Sequence, residues 1–300
     1  MSLIESALAK LRRAGEGDAQ ANARITSPVS LAPGAAKAPA LVVAASVAPV
    51  VEVEEPTKRL RIDLNALRDK GYFPEAGLER RFADHYRQIK RPLIEKALAG
   101  VAETRLFVVT SAFPGDGKTF TSLNLGLSIA RERDASVLLV DADLPRSNIS
   151  RVCGLENEPG LTDALLDEKL DVESLVFGTD IRGLAVLPTG KFVDNATELL
   201  ASARMGQIIA RLMARNPRRL VLLDASPLLG SSEAHALVRL PGQVILVVRA
   251  GVTPRHAILE AVALVERNKL QGIVLNEAPG KSGAGYYYGY GSYSSPDRGP

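Results

Sequence analysis

The stretch Leu106-Phe-Val-Val-Thr-Ser111-Ala112-Phe-Pro-Gly115-Asp116-Gly117-Lys118-Thr119-Phe120 decides the fold. Its first six residues form an apolar, β-prone run. The next six are small, turn-forming or bulky at one position only, and Lys118 then opens a helical pattern. Strand, glycine-rich loop and helix in that order are the context a phosphate-binding loop requires. Gly115 and Gly117 let the backbone N–H groups around Asp116 curl toward phosphate oxygens, and the helix beginning at Lys118-Thr119-Phe120 adds its positive end. Lys118 is then expected to reach the β and γ oxygens of a nucleoside triphosphate, with the Thr119 hydroxyl on Mg²⁺. On this reading Lys118 faces ligand rather than core.

Further along, two strand ends carry acids. Val137-Leu-Leu-Val-Asp141-Ala-Asp143-Leu-Pro-Arg146 closes one apolar run with two carboxylates and an arginine, and Leu220-Val-Leu-Leu-Asp224 closes another. A single such aspartate reads most simply as a helix cap. Several beside a phosphate loop read as metal and phosphate handling, because ligands of open α/β sheets bind beyond the carboxyl ends of the strands. Apolar runs at Leu106–Ser111, Val137–Asp141, Leu184–Leu187, Leu220–Leu223, Val244–Val248 and Ile273–Leu275 alternate with helical patterns from about Lys118, Thr162, Thr197, Ser232 and Pro254. This predicts an α/β fold: a mostly parallel sheet of the P-loop nucleotide-hydrolase kind with helices on both faces.

Texture divides the chain further. Residues 1–14 place Leu3, Ile4, Ala7, Leu8 and Leu11 on one helical face, either a frayed terminus or a docking helix. Residues 15–57 are rich in Ala and Pro without periodicity and read as a disordered linker. A helical extension is expected over 58–103, the nucleotide domain over 104–279, and a disordered tail over 280–300. That tail holds Tyr286, Tyr287, Tyr288, Tyr290 and Tyr293, five of the seven tyrosines in the chain, among Gly and Ser. Taken alone it is a sticky polar arm. Attached to a nucleotide site it reads as an array of phosphate acceptors.

Composition narrows the classes. A formal charge of +3 without a basic stripe argues against nucleic acid as a partner. The single cysteine, Cys153, excludes an internal disulfide framework and fits a reducing cytosol. No secretory leader is apparent, and the apolar segment from Leu41 to Val53 is Pro-interrupted and short of the roughly twenty residues a membrane span needs. The expectation is a cytoplasmic protein with no membrane anchor of its own. His85, His235 and His256 carry no metal-ligand spacing.

With Lys118, Asp141 and Asp224 at the Walker A, A′ and B positions, residues 104–279 resemble the MinD/ParA-type branch of P-loop ATPases. Phe113 stands where that branch often has a second lysine. The phenylalanine, the Asp141-x-Asp143-x-x-Arg146 form and the tyrosine tail resemble the bacterial tyrosine kinases of exopolysaccharide synthesis. Ser2-Leu-Ile-Glu-Ser-Ala-Leu-Ala-Lys-Leu11 and Tyr86-Arg-Gln-Ile-Lys-Arg-Pro-Leu93 resemble the exosortase-associated tyrosine autokinases. The resemblance implies ATP and Mg²⁺ as cofactors, with Lys118, Asp141 and Asp143 catalytic. Asp141 becomes the candidate base, and Thr119, Asp143 and Asp224 the metal group. Asn276 matches a position that contacts adenine in that branch, against the plainer reading of a turn residue, and Arg249 is a further candidate to face the nucleotide. Ser226 replaces a proline of the family's third motif and is expected to loosen the turn after Asp224. Asp84, Arg87 and Lys90 match a Glu-x-x-Arg-x-x-Arg element that joins subunits into a ring; the plainer reading is a solvated helix face. Implied partners are further copies of the chain, a membrane adaptor of the chain-length-determinant type that recruits the protein to the inner face of the membrane, and a tyrosine phosphatase. The alternatives are a positioning or partitioning ATPase and a nucleotide-binding scaffold without turnover.

Overall fold

In the computed structural model, residues 56–278 are described. The expected helix over 1–14, nearly all of the linker and the tyrosine tail lie outside them.

Among the described residues eight strands form one sheet: β1 (Lys58–Leu60), β2 (Leu106–Ser111), β3 (Ser136–Ala142), β4 (Phe177–Thr179), β5 (Leu184–Leu187), β6 (Arg219–Ala225), β7 (Gln243–Arg249) and β8 (Leu270–Asn276). Their order is β1-β4-β5-β3-β6-β2-β7-β8. Neighbours run parallel except β4 and β5. All six strands expected from apolar runs are present, two with the expected bounds and four longer by two to four residues. The two short strands β1 and β4 were not expected, since three residues are too few to show a period.

Alternation along the central strands divides the core. Leu106 and Val108, Leu138 and Val140, Val221 and Leu223, and Val244 and Leu246 face one side. There they meet α5 (Leu161–Leu166), α7 (Ala203–Ala214) and α8 (Ser232–Val238). Phe107 and Val109, Val137 and Leu139, Leu220 and Leu222, and Ile245 and Val247 face the other. On that side lie α2 (Glu79–Leu98), α3 (Lys118–Ile129) and α4 (Asn148–Val152). Such two-sided burial is why these strands read as continuous apolar runs. The remaining helices are α1 (Leu64–Asp69), α6 (Ala196–Leu200) and α9 (Arg255–Ala263).

The segment 58–103 carries the helices α1 and α2 and, beside them, a strand. Its β1 pairs with β4 at one edge of the sheet, and α2 buries Tyr86, Leu93 and Ala97 in the same cluster as α3 residues Leu123 and Leu127. Lys90 also turns inward. It is 5% exposed, donates to the Ser128 carbonyl at 2.6 Å and pairs with Glu132 at 2.7 Å. The expected Asp84, Arg87 and Lys90 face is therefore corrected: Lys90 belongs to the packing between α2 and α3, because its aliphatic stem crosses apolar surface and its ammonium is satisfied at the far end. Asp84 and Arg87 are exposed and form an ion pair with each other.

Candidate active site

Parallel strands end together, so β2, β3 and β6 deliver three acid- or loop-bearing termini to one place. Asp141 and Asp224 are partners in register across β3 and β6. The loop after β2 is set by two left-handed glycines, Gly115 at φ 90° and Gly117 at φ 95°, a conformation open to glycine and strained for other residues. Asp116 braces this loop from within. Its carboxylate accepts the Phe113 N–H at 2.9 Å and the Thr253 hydroxyl at 2.7 Å, while its carbonyl accepts Asn276 Nδ2 at 3.1 Å. Asn276, at the end of β8, thus touches the loop itself, and its amide lies where a side chain on Gly117 would have to go.

Lys118 is 5% exposed, its side chain turned into the acidic cluster of the site. Its ammonium contacts Asp143 Oδ2 and lies 3.9 Å from Asp224 Oδ2. Burial acts to lower its pKa, but the charges of Asp224 and Asp143 outweigh that and hold it above the ordinary lysine value. Asp224 accepts the Thr119 hydroxyl at 2.7 Å and the Ser122 hydroxyl at 2.8 Å. Its pKa is raised by burial, with the Lys118 charge the largest opposing influence. Asp141 is fully buried. One of its oxygens accepts both the N–H and the hydroxyl of Ser150, each at 2.7 Å, and the other has no hydrogen-bond partner among the described residues. Burial, and then the Asp224 charge, push Asp141 up to about 7. A carboxylate poised there suits proton transfer near neutral pH.

Other expected residues fall less centrally. The Phe120 ring packs edge-on against Phe82 with centroids 5.9 Å apart, so only its backbone belongs to the loop. Arg249 pairs with Glu277 at 2.6 Å and is half exposed. The five tail tyrosines lie outside the described residues. Sequence reasoning missed Ser122, Ser150 and Thr253. Ser122 had a signal, standing one helical turn beyond Thr119; the other two are brought in by tertiary contact alone. Ser226 was read as a loosened turn, yet its hydroxyl donates to Asp143 Oδ1 at 2.7 Å.

The donor set fits ATP with Mg²⁺. Among the described residues no group of three or more His, Cys, Asp or Glu side chains is set to cage a metal. A hydroxyl and one or two carboxylates beside a phosphate loop are what Mg²⁺ uses when substrate phosphates and water complete its shell. The unpartnered oxygen of Asp141 is a further sign that the polar cluster is not closed on itself.

The family described as "AAA domain" matches residues 105–270, more than half of the chain. Tyrosine-protein kinase Wzc of Salmonella typhimurium is 32% identical over 200 residues, covering 64% of this chain and 27% of that protein. Tyrosine-protein kinase YwqD of Bacillus subtilis is 32% identical over 171 residues, covering 56% of this chain and 70% of that protein. The solved kinase domain of the Escherichia coli tyrosine kinase Etk superposes with a TM-score of 0.61 at 25% identity, covering 79% of this chain and 95% of that one. The chain spans about a quarter of the length of the first curated relatives it matches, 24%, 25% and 27% of three of them. With the loop, the paired aspartates and these matches agreeing, the chain belongs to the bacterial tyrosine-kinase family of AAA-domain P-loop proteins.

Proposed function

We propose that this protein is an ATP- and Mg²⁺-dependent protein-tyrosine kinase that phosphorylates the tail tyrosines Tyr286, Tyr287, Tyr288, Tyr290 and Tyr293 of a neighbouring copy. The observation that carries this is the convergence of Lys118, Thr119, Asp143 and Asp224 beside a raised, buried Asp141 at the carboxyl ends of three neighbouring strands. Lys118 neutralises charge on the transferred phosphoryl group, and backbone N–H groups around Gly115, Asp116 and Gly117 hold the phosphates. Thr119, Asp143 and Asp224 would hold Mg²⁺, which would supply charge neutralisation for the phosphates. Asp141 takes the phenolic proton. Asn276 keeps the loop in shape from below, a role its contact with Asp116 supports better than a purely adenine-reading one.

By family, the reaction regulates polymerisation or export of an extracellular polysaccharide. Partners in this reading are other copies of the chain in a ring, a membrane adaptor that recruits it to the inner membrane face, and a phosphatase that resets the tail. Among the described residues no helix is long and apolar enough to cross a membrane. Asp84 and Arg87 remain as candidate ring contacts, without Lys90.

The test is phosphotyrosine formation by the full chain with ATP and Mg²⁺. Protein with all five tail tyrosines changed to Phe should accept little phosphate, yet phosphorylate a Lys118→Met partner carrying an intact tail. Label on Tyr72 or Tyr86 instead would overturn the tail as substrate. ATP hydrolysis with no phosphotyrosine would favour a positioning ATPase.

A further inference from the structure

Ser226 stands two residues beyond Asp224 and is 2% exposed. Its hydroxyl donates to Asp143 Oδ1 at 2.7 Å, and Lys118 takes the other oxygen, Oδ2. The backbone that carries this hydroxyl is pinned to the end of β2. Thr110 Oγ1 donates to the Ser226 carbonyl at 2.7 Å. The Leu228 N–H donates to the Ser111 carbonyl at 2.7 Å and the Leu229 N–H to the Ala112 carbonyl at 3.2 Å. The turn after Asp224 is therefore stitched to the strand from which the phosphate loop springs, rather than loosened.

A carboxylate gripped by a donor on each oxygen has one orientation. A proline at 226 would keep the carbonyl bond from Thr110 but would offer no side-chain donor. Asp143 is itself 1% exposed, so an oxygen left without a donor there must turn to find another or bear the cost of burial. Residues that orient a metal ligand through hydrogen bonds tune affinity without touching the metal.

We propose that Ser226 is a positioning residue for the divalent cation of this site. Its hydroxyl fixes Asp143 through Oδ1, so that Oδ2, which Lys118 contacts, is presented at one place where it would serve a divalent cation. The proposal rests on the ATP-dependent reading above, deepening it with a residue that the motif alone marks as a defect.

Two readouts test it on the full chain. Mn²⁺ is titrated into the protein with ADP and free Mn²⁺ is followed by electron paramagnetic resonance. Initial rates of phosphotyrosine formation are measured against Mg²⁺ concentration at saturating ATP. Ser226→Ala should weaken Mn²⁺ binding and raise half-saturating Mg²⁺ by about tenfold. The rate at saturating Mg²⁺ should stay within about threefold, since the ligand itself remains. Ser226→Thr, which keeps the hydroxyl, should restore Mn²⁺ affinity to within about twofold. In an Asp143→Asn background, Ser226→Ala should weaken Mn²⁺ no further. Parent-like Mn²⁺ affinity in Ser226→Ala, or the same loss repeated on Asp143→Asn, would overturn the proposal. If threonine's extra methyl prevents folding, the Asp143→Asn cycle decides alone. A parent protein that binds Mn²⁺ with ADP but forms no phosphotyrosine would sink the kinase reading while leaving the Ser226 cycle to be read.

Discussion

Changing Lys118 to methionine is the obvious way to silence the site, and the structure says that it also unsettles the fold. The ammonium is buried against Asp143 and lies 3.9 Å from Asp224. At an effective dielectric of about 20, an attraction over about 4 Å is worth roughly 4 kcal/mol. Removing one member of a buried pair typically costs about 3–5 kcal/mol, because the other is left charged without a partner. A loss of about 3 kcal/mol at pH 8 is expected for Lys118→Met in EDTA. The sign of its pH dependence follows from Asp224, whose pKa is already raised by burial and held down by Lys118. A carboxyl raised in the folded state stabilises most at low pH, and that contribution is lost as pH rises through the folded value. Each unit of pH over which it protonates instead of staying charged recovers about 1.4 kcal/mol. The deficit should therefore shrink as pH falls from 8 to 6. Urea denaturation at the two pH values measures it, and a cycle with Asp143→Asn should show a coupling of about 2 kcal/mol. Equal losses at both pH values, or additive effects of the two substitutions, would refute the buried-pair argument. A kinase-dead Lys118 variant thus needs its melting curve before its silence is read as chemistry.

Gly117→Ala should destabilise by about 2–3 kcal/mol, from a left-handed alanine and the loss of the Asn276 bond to Asp116. With Asn276→Ala already made, it should cost about 1 kcal/mol less, and urea midpoints that add without coupling would contradict the clash. Asp141→Asn keeps an acceptor for both Ser150 donors. Because Asp141 is raised to about 7, its ionisation destabilises the metal-free protein as pH climbs toward that value. The variant should be more stable than the parent at pH 8, with the gap closing by pH 5; parallel stability–pH curves would exclude it. Lys90→Ala should lower stability by about 1–2 kcal/mol through its lost bonds to Ser128 and Glu132. Arg87→Ala should leave the melting temperature in place and alter only sedimentation, and the reverse pattern would restore Lys90 to the surface.

Most of the fold was legible because the central strands are buried on both faces. Residues 106–111, 220–223 and 244–248 read as apolar runs, and no competing helical period disturbs them. The strand β1 escaped notice because Lys58–Leu60 alternates over three residues and is specified by its pairing with Phe177–Thr179, a contact more than a hundred residues away. The inward turn of Lys90 escaped for a related reason. A cation on a charged helix face reads as solvent-facing, and only the position of the Ser128 carbonyl on the neighbouring helix and of Glu132 just beyond its end makes burial tolerable.

The site was legible as types of residue at strand ends, and illegible as a network. Lys118, Asp141 and Asp224 follow from motif spacing, since the chemistry demands a cation and carboxylates where parallel strands finish. What holds them does not follow. Ser122 and Thr119 fix Asp224, Ser150 fixes Asp141, and Ser226 fixes Asp143, so each carboxylate has its own hydroxyl partner drawn from a different segment. Hydroxyl residues are common along the chain and carry no periodic mark; their roles appear only when tertiary packing sets an oxygen within 3 Å of a buried charge. This division has a mechanical consequence. Carboxylates held by neutral hydroxyls would keep their orientation if the Lys118 ammonium turned to phosphate, whereas carboxylates held by the lysine alone would lose it at the moment of binding. The arrangement therefore separates the group that moves from the groups that must not, which is what preorganised phosphoryl transfer asks of a site.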